Sequence, residues 1–439
     1  MKRRPNILLF FTDQQRADTC GCYGSGLGLT PSLDALAAEG VTFKNAVTCQ
    51  PVCGPARAVI QTGRYATKNG CFRNALELKD DNKTLAHLLN DAGYTTNYIG
   101  KWHLSLTGLE PVPLEKRCGY TGEWKAADLL EFTSDAYEGY IYGRDNQKLS
   151  FFGQYRSDFL TGHAARFISQ YEKEEPFFLM VSYLEPHHQN TKNRYIAPEG
   201  YADRYRDAEV PEDLLQLDKP DADWRANLAD YYGCIRRLDE NLGEVVAALK
   251  EKGLYEDTVI IFTSDHGSHF RTRNGEYKRS CHEASIKIPM VFRGGSYLGG
   301  RVVEQSLSLV DLAPTVLEIA GAEPEEQMDG RAAGSLLKGG AADWDNDVLI
   351  QISESQVGRA LRTPRWKYCV TAPHKNAWLD SGSDIYVEEC LYDLEEDPYE
   401  LNNLIDRQAY QEVREELKDK LLRKLELAGE GRPRIVPLI

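Results

Sequence analysis

Short apolar runs rich in β-branched and aromatic residues recur at Ile7–Thr12, Thr96–Ile99, Phe177–Tyr183, Thr258–Thr263 and Ile288–Phe292. Near-continuous hydrophobicity predicts strands buried on both faces, as in a parallel sheet covered by helices. Helices are predicted between them at Ser32–Glu39, Lys83–Ala92, Asp221–Lys252 and Leu309–Ala320. The alternation predicts an α/β fold with a large mixed, mostly parallel sheet sandwiched by helices. From about residue 346 the pattern changes. Val348–Ser353, Gly358–Leu361, Trp366–Thr371 and Cys390–Leu394 read as short antiparallel strands, followed by a charged helix from Ala409 to Leu427. The Gly- and Ala-rich segment Gly334–Asp343 marks the boundary. The expected organisation is an N-terminal domain over residues 1–345 and a smaller C-terminal α+β subdomain, an antiparallel sheet plus helix, over residues 346–439.

At 439 residues the chain can bury a large core. Its formal charge of −15 gives a field that repels nucleic acid and anionic membranes, so neither is an expected partner. An anionic substrate would therefore need a local basic pocket. No stretch reaches the roughly 20 apolar residues that span a bilayer. The basic start Met1–Pro5 is followed by an apolar run only from Ile7 to Phe11, shorter than a secretory core of about 7–15 residues, so a cytoplasmic location is expected. The ten cysteines are scattered without a compact framework. Cys20/Cys22 and Cys49/Cys53 are spaced like half of a zinc site, but no second pair with suitable spacing follows, and structural zinc is not expected.

In open α/β sheets ligands collect beyond the carboxyl ends of strands. Asp13-Gln14 follows the first predicted strand and Asp265-His266 follows the one that begins at Thr258. Together they offer two carboxylates, an amide oxygen and an imidazole, a reasonable donor set for a divalent cation. Taken alone, either pair reads as the cap of a following turn. The segment Cys53-Gly54-Pro55-Ala56-Arg57, then Thr62-Gly63-Arg64, shifts the balance. Pro55 suits the first turn of a helix that Gly63 could end. Cys53 would then sit at a helix N-terminus, where free N–H groups favour an anion, with Arg57 one turn in.

The pattern C-x-P-x-R followed by T-G-R resembles the maturation signature of the type I sulfatases, within the alkaline-phosphatase-like superfamily. In the family a leucine commonly precedes T-G-R, where this chain has Gln61. Further matches fall in family order. Gly100-Lys101-Trp102-His103 resembles the G-K-W-H motif, and Pro186-His187 the P-H pair, with His188 adjacent as a rival. Ser264-Asp265-His266-Gly267 resembles the second metal motif, and Lys278 the lysine that follows it. Leu391–Leu394 through Asp397-Pro398 to Asn403-Leu404 resembles the C-terminal stretch, so the resemblance spans residues 5 to about 405.

The resemblance implies a sulfuric ester hydrolase in which Cys53 is oxidised by a separate maturase to Cα-formylglycine. It implies a divalent metal held by Asp13, Gln14, Asp265, His266 and the converted Cys53. Many relatives carry two adjacent aspartates and then Asp-Asn; the Asp-Gln and Asp-His pairs here remove one negative charge and add nitrogen. Calcium is the expected ion, with Mn2+ or Mg2+ as alternatives, since imidazole suits manganese better. In the implied reaction a hydroxyl of the hydrated aldehyde attacks sulfur in line. Arg57, Lys101 and Lys278 stabilise charge, and His187 or His188 protonates the leaving alcohol. His103 helps deprotonate the second hydroxyl, expelling sulfate.

For the leaving group, His188, His269, Arg271 and Arg273 are the candidate substrate-binding residues, with Arg359, Arg362 and Arg365 further along. They would suit an acidic sugar such as a uronate in a glycosaminoglycan fragment, so a sulfated saccharide is the expected small-molecule substrate. Two alternatives stand beside it. One is a phosphonate monoester or phosphodiester hydrolase with the same nucleophile. The other is an unmodified, non-catalytic binder of sulfated ligands.

Overall fold

In a computed structural model that describes residues 4–79, 81–338 and 340–437, two sheets organise the chain. The large sheet contains β1 (Asn6–Thr12), β2 (Val41–Val47), β3 (Thr95–Lys101), β4 (Trp124–Ala127), β5 (Glu138–Tyr142), β6 (Lys148–Phe152), β7 (Phe177–Ser182), β8 (Thr258–Ser264), β9 (Met290–Arg293) and β10 (Arg301–Ser308). Their order is β10-β2-β9-β8-β1-β7-β3-β4-β5-β6. The central run β8-β1-β7-β3-β4 is parallel, whereas β9, β5 and β6 pair antiparallel. The α/β reading with a mixed sheet therefore holds.

Parallel strands need both faces covered, and β1 shows how the sequence meets that demand. Ile7, Leu9 and Phe11 pack into the core on one face, and Leu8 and Phe10 into the core on the other. The long helix Trp224–Glu251 contributes Leu238, Leu242, Val245 and Leu249 to the second of these. On the first face lies the helix Cys53–Thr62, all ten of whose residues are buried. Gly63 ends it in the left-handed conformation (φ 63°), with its N–H donated to Val59 O. That is the αL cap a glycine supplies without a Cβ penalty.

The smaller sheet contains β11 (Val348–Ile352), β12 (Gly358–Arg362), β13 (Trp366–Thr371), β14 (Ile385–Asp393) and β15 (Arg434–Val436), paired in that order. The helix Gln411–Leu427 buries Leu417, Leu421, Leu422 and Leu425 against it. The first four strands are antiparallel, as the sequence pattern predicts. β15 is a correction, because it pairs parallel to β14. The Gly/Ala-rich segment carries the short helices Gly334–Leu337 and Gly340–Asp343, while Gly339 lies outside the described residues. Strands β2, β4, β5, β6 and β10 and the helix Arg156–Ser169 are not evident in the hydrophobic pattern. Sheet-edge strands such as β6 (KLSFF) and β10 (RVVEQSLS) carry exposed and polar positions that break the apolar run. Among the described residues no helix is long and apolar enough to cross a membrane.

Candidate active site

Four adjacent strands, β8, β1, β7 and β3, deliver polar residues from their carboxyl ends to one place. Asp265 and His266 follow β8, Asp13 and Gln14 follow β1, Ser182 ends β7, and Lys101 ends β3. Close approach of β3 and β7 depends on Gly100 (φ 111°), because a Cβ there would lie 1.9 Å from Ser182 O. Cys53, the first residue of its helix, points into the same place with its amide end. Sequence positions far apart thus meet where the dipole of a helix favours negative charge.

The Cys53 sulfur is the hub. Its Sγ lies 2.7 Å from Lys278 Nζ, 3.2 Å from His266 Nε2 and 3.5 Å from Asp13 Oδ1. His103 and His187 hydrogen-bond to it as well. Burial alone would push this thiol up. Lys101, Lys278 and His266 outweigh burial and hold it well below the ordinary thiol value. The structure holds the unmodified cysteine, so its sulfur stands where an oxygen of a converted side chain would lie.

Three buried cations face three buried carboxylates around this sulfur. Arg57 Nη2 donates to Asp13 Oδ2 at 3.0 Å and sits 3.5 Å from Asp265 Oδ2. Its Nη1 is held by Lys101 O and Ser182 Oγ. Lys101 Nζ lies 2.9 Å from Asp13 Oδ2 and 3.2 Å from Glu131 Oε1. Burial raises Asp13, but Lys101, His187 and Arg57 outweigh it and leave its carboxyl well below the usual range. Asp265 is pushed up to about 6 by burial and by Asp13 beside it. Two carboxylates in one dry site, only one of them well paired with cations, form a site that further positive charge would stabilise.

The donor set fits a divalent cation. One atom each from Asp13, Cys53, Asp265 and His266 lie within 4.8 Å of one another. His266 Nδ1 must donate to Gly267 O (2.9 Å), because a carbonyl can only accept; Nε2 of the neutral ring then presents a lone pair to the cluster. Gln14 takes an unusual positive φ of 70°, and its N–H donates to Asp265 Oδ1. Its Nε2 is held by Tyr195 Oη (2.6 Å) and Ser268 Oγ (3.3 Å). Gln14 Oε1 and Asp265 Oδ2 are buried and lack a hydrogen-bond donor among the described residues. Two orphaned oxygens beside a lone-pair nitrogen are what a cation would satisfy.

Of the two adjacent histidines, His187 faces the hub. Its Nε2 lies 3.1 Å from Lys278 Nζ, and its Nδ1 donates to His188 O. Burial and then Lys278 hold its pKa below the ordinary imidazole value. His188 instead packs its ring 4.5 Å from the centroid of Tyr277 and is pushed down to about 4, first by burial.

The remaining substrate-binding candidates are engaged with other parts of the protein. His269 is wholly buried and donates Nε2–H to Lys278 O at 3.0 Å, so it shapes the lysine's loop from behind. Arg273 spends both Nη groups on the carbonyls of Tyr399 and Glu400. Arg271 lies over the Tyr277 ring and reaches Asn193 Oδ1 and Asp223. Arg359 and Arg362 are buried against Glu430 and Glu283, and Arg365 pairs with Asp393. Among the described residues no hydrogen bond joins any of these six, or His188, to Cys53.

The sequence reading missed several neighbours. Glu131 receives Lys101 and stands 4.0 Å from His103 Nδ1. Asp128 accepts the N–H groups of Leu104, Ser105, Thr107 and Gly108 and so fixes the loop that carries His103. Asn74 Oδ1 accepts the Gly54 N–H at 3.0 Å, and its own N–H donates to Glu354 Oε1. Glu354 Oε2 pairs with Arg279, and the Arg73 and Arg279 guanidinium groups both lie over Trp378, 5.7 and 5.9 Å from its ring centroids. Trp378 is 44% exposed. A rim of one aromatic face and two arginines, with Trp378 from the loop between β13 and β14, therefore connects through Glu354 and Asn74 to Gly54, the residue after Cys53.

Comparison with known proteins agrees with this geometry. A model of the sulfatase family matches residues 5–322, and a model of the N-sulphoglucosamine sulphohydrolase C-terminal region matches residues 275–426. The chain belongs to the sulfatase family, the sulfuric ester hydrolases. It is 30% identical to an ulvan-active sulfatase of Formosa agariphila, over 97% of this chain and 82% of that one. It is 26% identical to an N-acetylglucosamine-6-O-sulfatase of Bacteroides thetaiotaomicron, over 95% of this chain and 86% of that one. The crystal structure of yidJ from Bacteroides fragilis superposes with a TM-score of 0.81 at 26% identity, covering 98% and 97% of the two chains.

Proposed function

We propose that this sulfatase removes sulfate from a sulfated saccharide, using formylglycine made from Cys53 by a maturase and a divalent cation, calcium, held by Asp13, Gln14, Asp265 and His266. The observation that carries the reading is the convergence of Lys278, His187, His103, His266 and Asp13 on the Cys53 sulfur. The names of the ulvan-active and N-acetylglucosamine-6-O-sulfatase relatives support a saccharide substrate. The exposed Trp378 face with Arg73 and Arg279 offers a surface on which a sugar ring can stack and an acidic group can pair. We take residues 1–345 as the catalytic unit, completed at this rim by the C-terminal unit 346–439.

When bound, the cation would lower the pKa of a hydroxyl at position 53 and polarise an ester oxygen. The protein's own groups do the rest. Lys278 Nζ, already 2.7 Å from the position-53 side chain, binds an oxygen of the transferring group. Lys101 and Arg57 pair with Asp13, neutralise it and fix its orientation, and they add positive charge around the transferring group. The leaving alcohol takes its proton from the Lys278–His187 pair, where the ammonium carries the proton and Nε2 accepts its hydrogen bond. His103, beside Glu131, is placed to take a proton from the second hydroxyl.

The test is a panel of defined sulfated saccharides with sulfate release as readout, run beside para-nitrophenyl sulfate and a para-nitrophenyl phosphonate ester. Release from a saccharide at far higher kcat/KM than from either aryl ester is expected. A strong phosphonate preference, or no turnover of any saccharide by protein whose position 53 is fully converted, would sink the proposal.

A further inference from the structure

A second cluster of metal-ligating side chains lies outside the site just described. Cys281, Cys369 and Cys390 bring their sulfur atoms within 4.8 Å of one another, and all three are buried. They come from separate parts of the fold. Cys281 follows the loop that carries Lys278, while Cys369 and Cys390 face each other across β13 and β14. The pairing there is irregular. Cys369 opposes Cys390 and Val370 opposes Glu388, so Glu389 is an extra residue in the ladder. Such a bulge re-aims side chains, and Glu389 Oε2 consequently lies 3.2 Å from Cys369 Sγ. The same carboxylate is fixed by Gln356 Nε2 at 2.9 Å. A cavity of about 240 Å³ lined by Cys281, His282, Glu389 and Cys390 opens onto the cluster.

We propose that Cys281, Cys369 and Cys390 form a thiolate site for one soft divalent cation, zinc by preference, with Glu389 as the oxygen ligand. Three sulfurs and one carboxylate make the tetrahedral donor set zinc takes, with Glu389, now beside Cys369 alone, closing in on the three sulfurs as the fourth ligand. With Zn–S bonds of about 2.3 Å the sulfurs would stand roughly 3.8 Å apart, a contraction of an ångström or less from their present spread. The three thiols release their protons to solvent on binding.

The sequence spacing gives no hint of this, because the three cysteines lie 88 and 21 positions apart and none has a C-x-x-C partner. A cation here ties β13 and β14 to the segment three residues beyond Lys278. It therefore fixes the position of the lysine that touches Cys53, without itself meeting substrate.

The test uses the full chain carrying Cys53→Ser, which removes the catalytic sulfur from the spectrum, purified without an affinity tag that binds metal. Thiol titration in denaturant first verifies that the cysteines are reduced. Addition of Co2+ is then expected to give sulfur-to-cobalt charge-transfer absorption saturating at one equivalent and displaced by Zn2+. Cys281→Ser in the same background should abolish the band, and Glu389→Gln should weaken Zn2+ binding at least tenfold. Zinc should also raise the melting temperature of the parent and not of Cys281→Ser. Absence of the charge-transfer band from folded, reduced protein overturns the proposal, as does a band that survives Cys281→Ser. A Cys369–Cys390 disulfide found by mass spectrometry in freshly isolated protein overturns it too. If Cys281→Ser fails to fold, the stoichiometry in the parent and the Glu389→Gln affinity still decide.

Discussion

Lys278 Nζ and Cys53 Sγ lie 2.7 Å apart across 225 positions of sequence, and His187 Nε2 stands 3.1 Å from the same ammonium. Removal of a preorganised donor to developing charge costs about 10²–10³ in kcat. Lys278→Ala is therefore expected to lower kcat by that factor with little change in KM. His187→Ala should lower kcat by about 10²–10⁴ on esters with poorly acidic alcohols and much less on para-nitrophenyl sulfate, whose leaving group needs no proton. Steady-state kinetics on the two substrate types check this; equal losses on both would remove His187 from protonation.

Cys53→Ala should abolish turnover, a loss of at least about a thousandfold, while circular dichroism stays unchanged. Cys53→Ser is more informative. A serine has one hydroxyl and cannot expel sulfate by restoring an aldehyde, so intact mass after incubation with substrate should show a sulfate adduct on the serine variant. In native cells the wild-type peptide around residue 53 should carry oxygen in place of sulfur with two hydrogens fewer.

Tyr195 Oη, at 2.6 Å, is the nearer of the two hydroxyls that hold the Gln14 amide nitrogen and so leave the buried Oε1 without a donor. Tyr195→Phe deletes that hold without touching the cluster. Loss of an outer partner of a metal ligand costs about 10–100-fold in affinity. Calcium titration by calorimetry should show that loss, and kcat at saturating calcium should recover most of the wild-type value.

The strand-end residues were legible because apolar runs in the central strands give way to polar residues: Ile7–Phe11 to Thr12 and Asp13, Val259–Phe262 to Thr263, Ser264 and Asp265, and Tyr98–Gly100 to Lys101. The motif order supplied the rest. Glu131, Asn74, Ser182 and Tyr195 were not legible, being common residue types in segments whose only special property is where the chain folds back. His269 and Arg273 illustrate the opposite error. They are close to Lys278 in sequence, but the loop turns through positive φ at Phe270, Arg271 and Arg279, so neighbours in sequence point in different directions. Edge strands such as β10 escaped because half-exposed positions dilute the apolar signal.

Trp378 lies in the loop between β13 and β14, outside the cation cluster, yet Arg73 and Arg279 both stack on it. Such cation–π contacts are worth about 0.5–1 kcal/mol at an exposed site and hold the indole face in place. Trp378→Ala is expected to raise KM for a saccharide sulfate roughly tenfold and to leave kcat/KM on para-nitrophenyl sulfate within about twofold. An equal loss on the aryl ester would mean that the residue supports the loop rather than the sugar.

Chelation should destabilise the protein in a pH-dependent way whose sign follows from Asp265. In the metal-free site its carboxyl is raised from the ordinary 3.8 to about 6, first by burial and then by Asp13. A raised carboxyl pKa favours the folded state while the group is protonated, and that contribution is lost as pH rises from about 4 through about 6. The shift of about two units corresponds to a loss on the order of 3 kcal/mol in the stripped protein. Calcium binds the ionised form and offsets the repulsion, so loaded protein should not show this loss. Thermal melts with excess calcium and with chelator should therefore differ little near pH 4.5 and diverge steadily up to about pH 7. Asp265→Asn should flatten the metal-free profile across the same window. A gap that stays constant with pH, or that narrows as pH rises, would show that Asp265 is not the carboxylate left uncompensated when the cation leaves.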